Sequence, residues 1–512
     1  MREGRGASCI HPGMTRFSGG SATPPSSPTA LLETALRAIA ASDTATAEPI
    51  ALRVTQEAPQ DPRGWWLLGR VRTMQGRLKD ADSCLTRAWF LLPNDAEIAA
   101  ARGHLRLRQG RHAEAAEFFK DALDRRPDHP DARYLRAEAL RRDGKPTEAL
   151  AIAAEAPTAL ALHVRAKCKA DLRDVAGAEL DLRDAIAMNP PPGLMSQLRQ
   201  RLAQVLDANG RSAEAFAETV ASRSVGRIPF DSDLFASRLR AIRDVFTPAT
   251  VKSLVKPTVL TRRPIFLAGL ARSGIAILDR LIGAHPRAAT GPEFSVLPGL
   301  VRSWQDPIAP ERSYPAILRT FDVRRIDGVV NAYLAASDEF AGQAERLVDR
   351  HLSNWMHLGL IASAFPEATI VQIDRDPMDL GVACFEQLTN AAMPWSGDLE
   401  SIGRMIAAQR WMMEHWNAVY PGRIVQVRLE ELLADPRTHL GRVLDAAGLG
   451  WDDACVAADA LAIDGERSAV TPSPKGFSEF RDPSVGRAAR FSSELAPLKA
   501  AIDAWDRKLR SA

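Results

Sequence analysis

The stretch Pro264-Ile265-Phe266-Leu267-Ala268-Gly269-Leu270-Ala271-Arg272-Ser273-Gly274 decides the fold of the C-terminal half. Its opening residues, Pro264 to Leu270, form a short apolar run of the kind that makes a strand buried on both faces. After Gly274 comes Ile275-Ala276-Ile277-Leu278-Asp279-Arg280-Leu281-Ile282, whose apolar spacing is helical. A strand, a glycine-bearing loop and a helix in that order leave unpaired backbone N–H groups at the loop. The positive end of the helix dipole faces the same place, so a phosphate can sit there. The Gly269–Gly274 spacing is that of a Walker A loop, yet the two positions that should be Lys and Ser/Thr are Ile275 and Ala276. Without the phosphate lysine and the hydroxyl that ligates Mg²⁺, a metal-dependent phosphoryl transferase is disfavoured.

Moving outward, Ala368-Thr369-Ile370-Val371-Gln372-Ile373 predicts a second buried strand, followed by Asp374-Arg375-Asp376-Pro377-Met378-Asp379 and a helix. Arg423-Ile424-Val425-Gln426-Val427-Arg428 predicts a third, leading into Leu429-Glu430-Glu431-Leu432-Leu433. Strands alternating with helices indicate a mostly parallel sheet with ligands at the strands' carboxyl ends. This α/β domain is expected over 262–512, preceded by a connection of helices and linker over 226–261.

Upstream, the pattern is that of an all-α array. Trp65, Leu68, Gly69, Ala81, Leu85, Ala88 and Pro93 fall at the spacing of one helix–turn–helix unit. A shift of 34 residues gives Gly103, Ala115, Phe119, Ala122 and Pro127. Ala178, Leu182, Ala185 and Pro190 return later, with a shorter, degenerate unit near 130–158. Small residues let paired helices approach, a large one fills the groove, and Pro closes each unit because it cannot continue a helix. The period predicts a tetratricopeptide-repeat solenoid over 29–225, with function on its concave face. Residues 1–28, rich in Gly, Ser, Thr and Pro, are expected to be disordered.

The whole chain has 512 residues, 46% of them hydrophobic and 25% charged, the proportions of an ordinary soluble protein of more than one domain. Lys+Arg at 66 against Asp+Glu at 63 leaves +3, too balanced for a nucleic-acid-wrapping surface. Five scattered cysteines rule out a disulfide scaffold and argue against a zinc site. No apolar run approaches the ~20 residues of a membrane span, and no secretory signal opens the chain, so a cytoplasmic protein is expected.

The order of the C-terminal motifs resembles the sulfotransferases that use 3′-phosphoadenosine 5′-phosphosulfate, in particular the bacterial type fused to tetratricopeptide repeats. The likeness covers about 262–500. Pro264 to Gly274 is similar to the family's 5′-phosphosulfate loop, Pro-Arg-Ser-Gly-Thr-Thr. Gly291-Pro292-Glu293 falls at the family's Gly-Glu, and Asp349-Arg350-His351-Leu352-Ser353-Asn354 resembles Asp-Lys-x-Pro-x-Asn. Arg375-Asp376-Pro377-Met378-Asp379 resembles the 3′-phosphate segment. Thr471-Pro472-Ser473 and Ser484-Val485-Gly486-Arg487 continue the order.

The resemblance implies sulfuryl transfer to a hydroxyl acceptor (peptide, glycan or small molecule), with a protein partner or the acceptor held by the repeats and no metal. Arg272 and the backbone N–H groups of Ser273, Gly274, Ile275 and Ala276 would hold the 5′-phosphate. Arg375 would hold the 3′-phosphate, with Ser473, Gly486 and Arg487 completing the nucleotide site. Glu293 would take the acceptor's proton, and Arg350, with Arg272, would stabilise charge on the leaving phosphate. The bland readings are that Arg375 pairs with Asp376 or Asp379, and that Glu293 and Arg350 lie at the surface. His351 and His357 are expected to be packing or surface residues, and Trp411 and Trp416 to bury in the core of a helix. Where the family has hydroxyl residues, this chain has Ile275, Ala276 and Ala383. Two function classes therefore stay open, a divergent enzyme and a catalytically silent domain on an interaction scaffold.

Overall fold

The computed structural model describes residues 28–511 apart from 41–42, 156–157, 226, 307, 387–392, 458–470, 474–475 and 483. Residues 1–27, expected to be disordered, lie outside the described residues, and Pro28 already opens a helix. The chain divides into two compact units, 1–157 and 158–512. That division falls inside the repeat array expected over 29–225, so the later helix pairs fold as part of the second unit.

The first unit is made of antiparallel helix pairs, among them Pro62–Met74 with Leu78–Leu91 and Ala96–Arg108 with His112–Arg125. A Cβ on Gly69 would lie 2.6 Å from Leu85, and one on Gly103 would lie 2.8 Å from the Phe119 ring. These are the small-against-large contacts the 34-residue period predicts. The degenerate unit is the pair Ala132–Arg142 and Pro146–Ala153, whose second helix has only 8 residues.

The second unit opens with two more pairs, Ala159–Asp171 with Val175–Ala187 and Pro192–Ala208 with Ser212–Ser224. Beyond the helix Ser232–Val245 lies a five-stranded sheet: β1 (Pro264–Ala268), β2 (Ala288–Thr290), β3 (Arg346–Asp349), β4 (Thr369–Asp374) and β5 (Ile424–Arg428). The order is β2-β3-β1-β4-β5 and every pairing is parallel. Along β1 the pleat sends Ile265 and Leu267 to one core and Phe266 and Ala268 to the other. All five residues are buried, as expected for the central strand of a sheet covered on both faces.

Two strands of this sheet escaped the sequence reading. β2 has three residues and is half-exposed at the sheet edge, and β3 has four, too few for either to stand out as an apolar run. A hairpin, β6 (Thr471–Ser473) and β7 (Gly476–Arg481), is antiparallel and separate from the sheet. Trp411 and Trp416 are buried on the helix Leu399–Val419, the packing role expected of them.

Candidate active site

β1 and β4 are neighbours, but their following helices cover opposite faces of the sheet. Ile275, Leu278 and Ile282 of the helix Ile275–Gly283 pack in one core with Leu429 and Leu432. Leu380, Val382 and Phe385 of the helix Pro377–Glu386 pack in the other. The chains diverging from adjacent strand ends leave a crevice between them, the usual place for a ligand in an open parallel sheet.

The loop after β1 forms one wall of it. Arg272 has φ 70° and Gly274 has φ 105°, so the chain reverses tightly into the helix. A Cβ on Gly269 would sit 2.7 Å from Ser273 Oγ and 2.8 Å from the Ile373 carbonyl oxygen, which only glycine avoids. Ser273 is buried and its Oγ has no hydrogen-bond partner. Gly274 gives the helix no side-chain cap, so the first-turn N–H groups, those of Ile275 and Ala276 among them, face the crevice end. The Ile275 side chain belongs to the core, whereas Ala276 is only partly buried.

Arg375, the first residue after β4, lies against this loop and is 4% exposed. Its Nη1 donates to the Arg272 carbonyl at 3.0 Å, and Nη2 donates to Ser484 O at 2.6 Å and to Ser484 Oγ at 2.8 Å. Nε is buried with no partner. Neither acid weighed as its partner pairs with it. Asp376 Oδ1 accepts from the N–H groups of Met378 and Asp379. Asp379 accepts from the N–H groups of Gly486 and Ala488 at 2.6 and 2.7 Å, which fastens the 484–488 turn over the crevice. Beneath the loop, Cys384 Sγ donates to Ala271 O at 3.4 Å, and burial pushes its thiol up to about 12. It stays protonated and is no nucleophile.

A cavity of about 250 Å³ opens at this point, bounded by Arg272, Ala383, Ser484 and Arg487. Its other side is formed by the last helix pair, through Gln200, Asp207 and Thr219. Gln200 is 7% exposed and its Oε1 has no partner. Nothing in the sequence marked Gln200 or Asp207 as site residues, because both look like ordinary repeat-helix positions.

Two expectations for the turn need correction. Arg487 is not a free anion donor: Nε and Nη2 clasp Glu386 at 2.5 to 3.0 Å, and Nη1 donates to Asp207 at 2.9 Å. The Gly486 N–H is taken by Asp379, so it too is engaged. Ser473 ends β6, and its side chain lies outside the described residues.

The residues expected at the reacting centre are less assembled. Glu293 is exposed on the loop after β2, with no hydrogen bond or ion pair to any described residue. Arg350 pairs with Asp279 through Nε at 3.3 Å, rather than facing the crevice unpaired. Burial raises the Asp279 carboxyl to about 6, against the lowering influence of Arg350 and Arg280. The rest of the 349–354 segment is structural. Buried Asp349 accepts from Tyr333 Oη at 3.1 Å, from the His351 N–H at 2.9 Å and from Asn354 Nδ2 at 3.1 Å. Asn354 Nδ2 also reaches the Leu267 carbonyl at 3.2 Å, which pins this loop to the end of β1. His351 bonds Ser353 and His357 bonds Tyr314, so both have local partners. Among the described residues no group of three or more His, Cys, Asp or Glu side chains could hold a metal ion.

The sulfotransferase family model matches residues 264–453, from the first residue of β1 to just beyond the second helix after β5. A tetratricopeptide-repeat model matches 32–84 and 100–161. The chain joins tetratricopeptide repeats to a sulfotransferase-family domain. An uncharacterized protein of Aquifex aeolicus (strain VF5) is 24% identical over 374 residues, which is 70% of this chain and 48% of that protein. The chain thus spans about half the length of that curated relative. Among solved structures it is similar to PilW, a widely conserved type IV pilus biogenesis factor, at 17% identity and TM-score 0.34, covering 38% of this chain and 92% of that one. A tetratricopeptide repeat protein from Parabacteroides merdae ATCC 43184 gives 18% identity and TM-score 0.33, covering 44% and 88%. No helix among the described residues of the repeats or the sulfotransferase-family domain is long and apolar enough to cross a membrane.

Proposed function

We propose that the sulfotransferase-family domain binds 3′-phosphoadenosine 5′-phosphosulfate in the crevice between β1 and β4 and transfers its sulfuryl group to a hydroxyl acceptor. The observation that carries this reading is Arg375, a buried guanidinium with no acidic partner among the described residues and an unpaired Nε. A cation taken out of water without a counter-ion is costly unless an anion completes the site. A phosphate matches its planar donors.

In the reaction, a new S–O bond forms to the acceptor oxygen while the bond between sulfur and the phosphate oxygen breaks. The acceptor's proton leaves to a base, for which Glu293 is the candidate. The charge that gathers on the departing phosphate is met by the first-turn N–H groups and by Arg272, with Arg350 able to join once it turns from Asp279. No metal takes part in this scheme. The repeats would present the acceptor or hold a protein partner, without nucleic acid, in a cytoplasmic setting. The functional division is proposed as repeats over 29–225, a connection over 226–261 and the transferase domain over 262–512.

A second reading, a domain that binds nucleotide without turnover, is favoured by the engaged Arg487 and Arg350 and by Ile275 and Ala383 at hydroxyl positions. Calorimetric titration with 3′-phosphoadenosine 5′-phosphate, against 5′-AMP, tests the site. Selective binding of the bisphosphate that Arg375→Ala abolishes supports it, and no binding at millimolar concentration overturns it. Sulfate transfer lost in Glu293→Gln, with bisphosphate binding kept, then separates enzyme from silent scaffold.

A further inference from the structure

A second cavity, of about 380 Å³, lies in the same unit and shares no lining residue with the crevice cavity. One wall is the helix Ser232–Val245, which precedes the residues matched by the sulfotransferase model, so the family likeness does not account for it. The opposite wall comes from the helix Val296–Ser303 and from the segment that follows the pinned Asn354.

Its interior is apolar: Leu239, Ile242, Val301 and Met356 line it, and the first three are nearly or fully buried. Two places in the lining are polar and neutral, Gln305 and the Tyr314–His357 pair. Tyr314 Oη lies 3.1 Å from His357 Nδ1, and the rings meet edge to face with centroids 5.2 Å apart. Burial lowers the His357 imidazole to about 4 and pushes the Tyr314 phenol up, so both are uncharged at neutral pH. His357 Nε2 has no partner among the described residues. The charged lining consists of Arg238 and Arg302, both exposed and without an ion pair among the described residues. No acid lines the cavity. An apolar chamber with two unpaired guanidiniums and no carboxylate attracts an anion with an apolar body.

We propose that this cavity binds a small amphipathic anion, its apolar body along Leu239, Ile242 and Val301 and its carboxylate, sulfonate or phosphate head at Arg238 and Arg302. The Tyr314–His357 pair offers a neutral hydrogen-bonding point for a hydroxyl or carbonyl on the body. The site stands independently of the sulfuryl-transfer reading, because no residue in it is assigned to the donor crevice.

The test is a fluorescence titration of the full chain with 1-anilinonaphthalene-8-sulfonate, competed by naphthalene-2-sulfonate and by the neutral 2-naphthalenemethanol. One saturable site is expected, with the sulfonate competing at least tenfold better than the alcohol. The double variant Arg238→Ala/Arg302→Ala should erase that preference while the alcohol still competes. Ala241→Trp, at an exposed lining position, should block both competitors. Thermal melts followed by circular dichroism establish that the variants fold. Absence of a saturable site, equal competition by sulfonate and alcohol, or binding indifferent to both variants would each overturn the proposal.

Discussion

Two arginines, one in a repeat and one at the end of a strand, are almost equally hidden from water, at 7% exposed for Arg106 and 4% for Arg375. Arg106 meets Asp82 at 3.0 Å and Glu114 at 3.4 Å. Arg375 meets only two carbonyl oxygens and a hydroxyl. The repeat neutralises the charge it buries, as a region built to hold shape would. Arg375 has no acid beside it among the described residues, which is what the proposed anion site would need. Burial alone therefore does not separate an arginine that holds shape from one proposed to bind, whereas the identity of its partners does.

The comparison can be broken by putting Met at each position. Arg375→Met should weaken bisphosphate binding by about 100-fold or more, since charge-assisted hydrogen bonds contribute about 1.5–3 kcal/mol each. Its stability should stay within about 1 kcal/mol of the parent, because the removed desolvated charge offsets the lost bonds. Arg106→Met should do the reverse: destabilise by about 1 kcal/mol, its acids being partly solvent-screened, and leave binding unchanged. Urea unfolding and calorimetry on both variants measure this. Comparable binding losses in the two would erase the distinction.

A smaller effect is expected in the pair Arg350–Asp279, which lies between those extremes. The folded Asp279 carboxyl titrates near 6, above its ordinary 3.8, so the native state holds this proton more tightly than the unfolded chain. That stabilising contribution is complete below about pH 4 and is lost as pH rises through 6. Relative to Asp279→Asn, the parent should lose at most about 2 kcal/mol between pH 4 and pH 6.5. Unfolding curves at the two pH values test it, and parallel behaviour of parent and variant would count against the shift. The smallest change is expected from Ala276→Thr. A hydroxyl restored on the partly buried first turn should tighten bisphosphate binding about threefold to tenfold, one added hydrogen bond contributing about 1 kcal/mol. Unchanged affinity would mean that the first turn does not touch the ligand.

How far these features could be read from sequence follows from how local they are. β1, β4 and β5 were visible because each is an apolar run, and the loop because its glycines sit at fixed spacing. The helix pairs were visible because Gly69 with Leu85 and Gly103 with Phe119 repeat at one period. Arg375 could be nominated by its place after a strand, yet its lack of an acid partner could not, since Asp376 and Asp379 stand beside it in sequence. Asp207 and Arg487 are 280 residues apart, and Gln200 carries no motif, so only the fold brings them to the crevice. Glu293 shows the opposite limit: its motif was legible, but the structure gives it no partner that would orient it.

The clasp of Arg487 by Asp207 and Glu386 makes the helix Pro192–Ala208 a thermodynamic party to whatever occupies the crevice. A bound phosphate that drew Arg487 away would release Asp207. By linkage, any ligand that moved this helix and loosened the clasp would change phosphate affinity by the same factor. The terminal repeat helix and the crevice are in this sense two ends of one equilibrium, with a single guanidinium as its pivot.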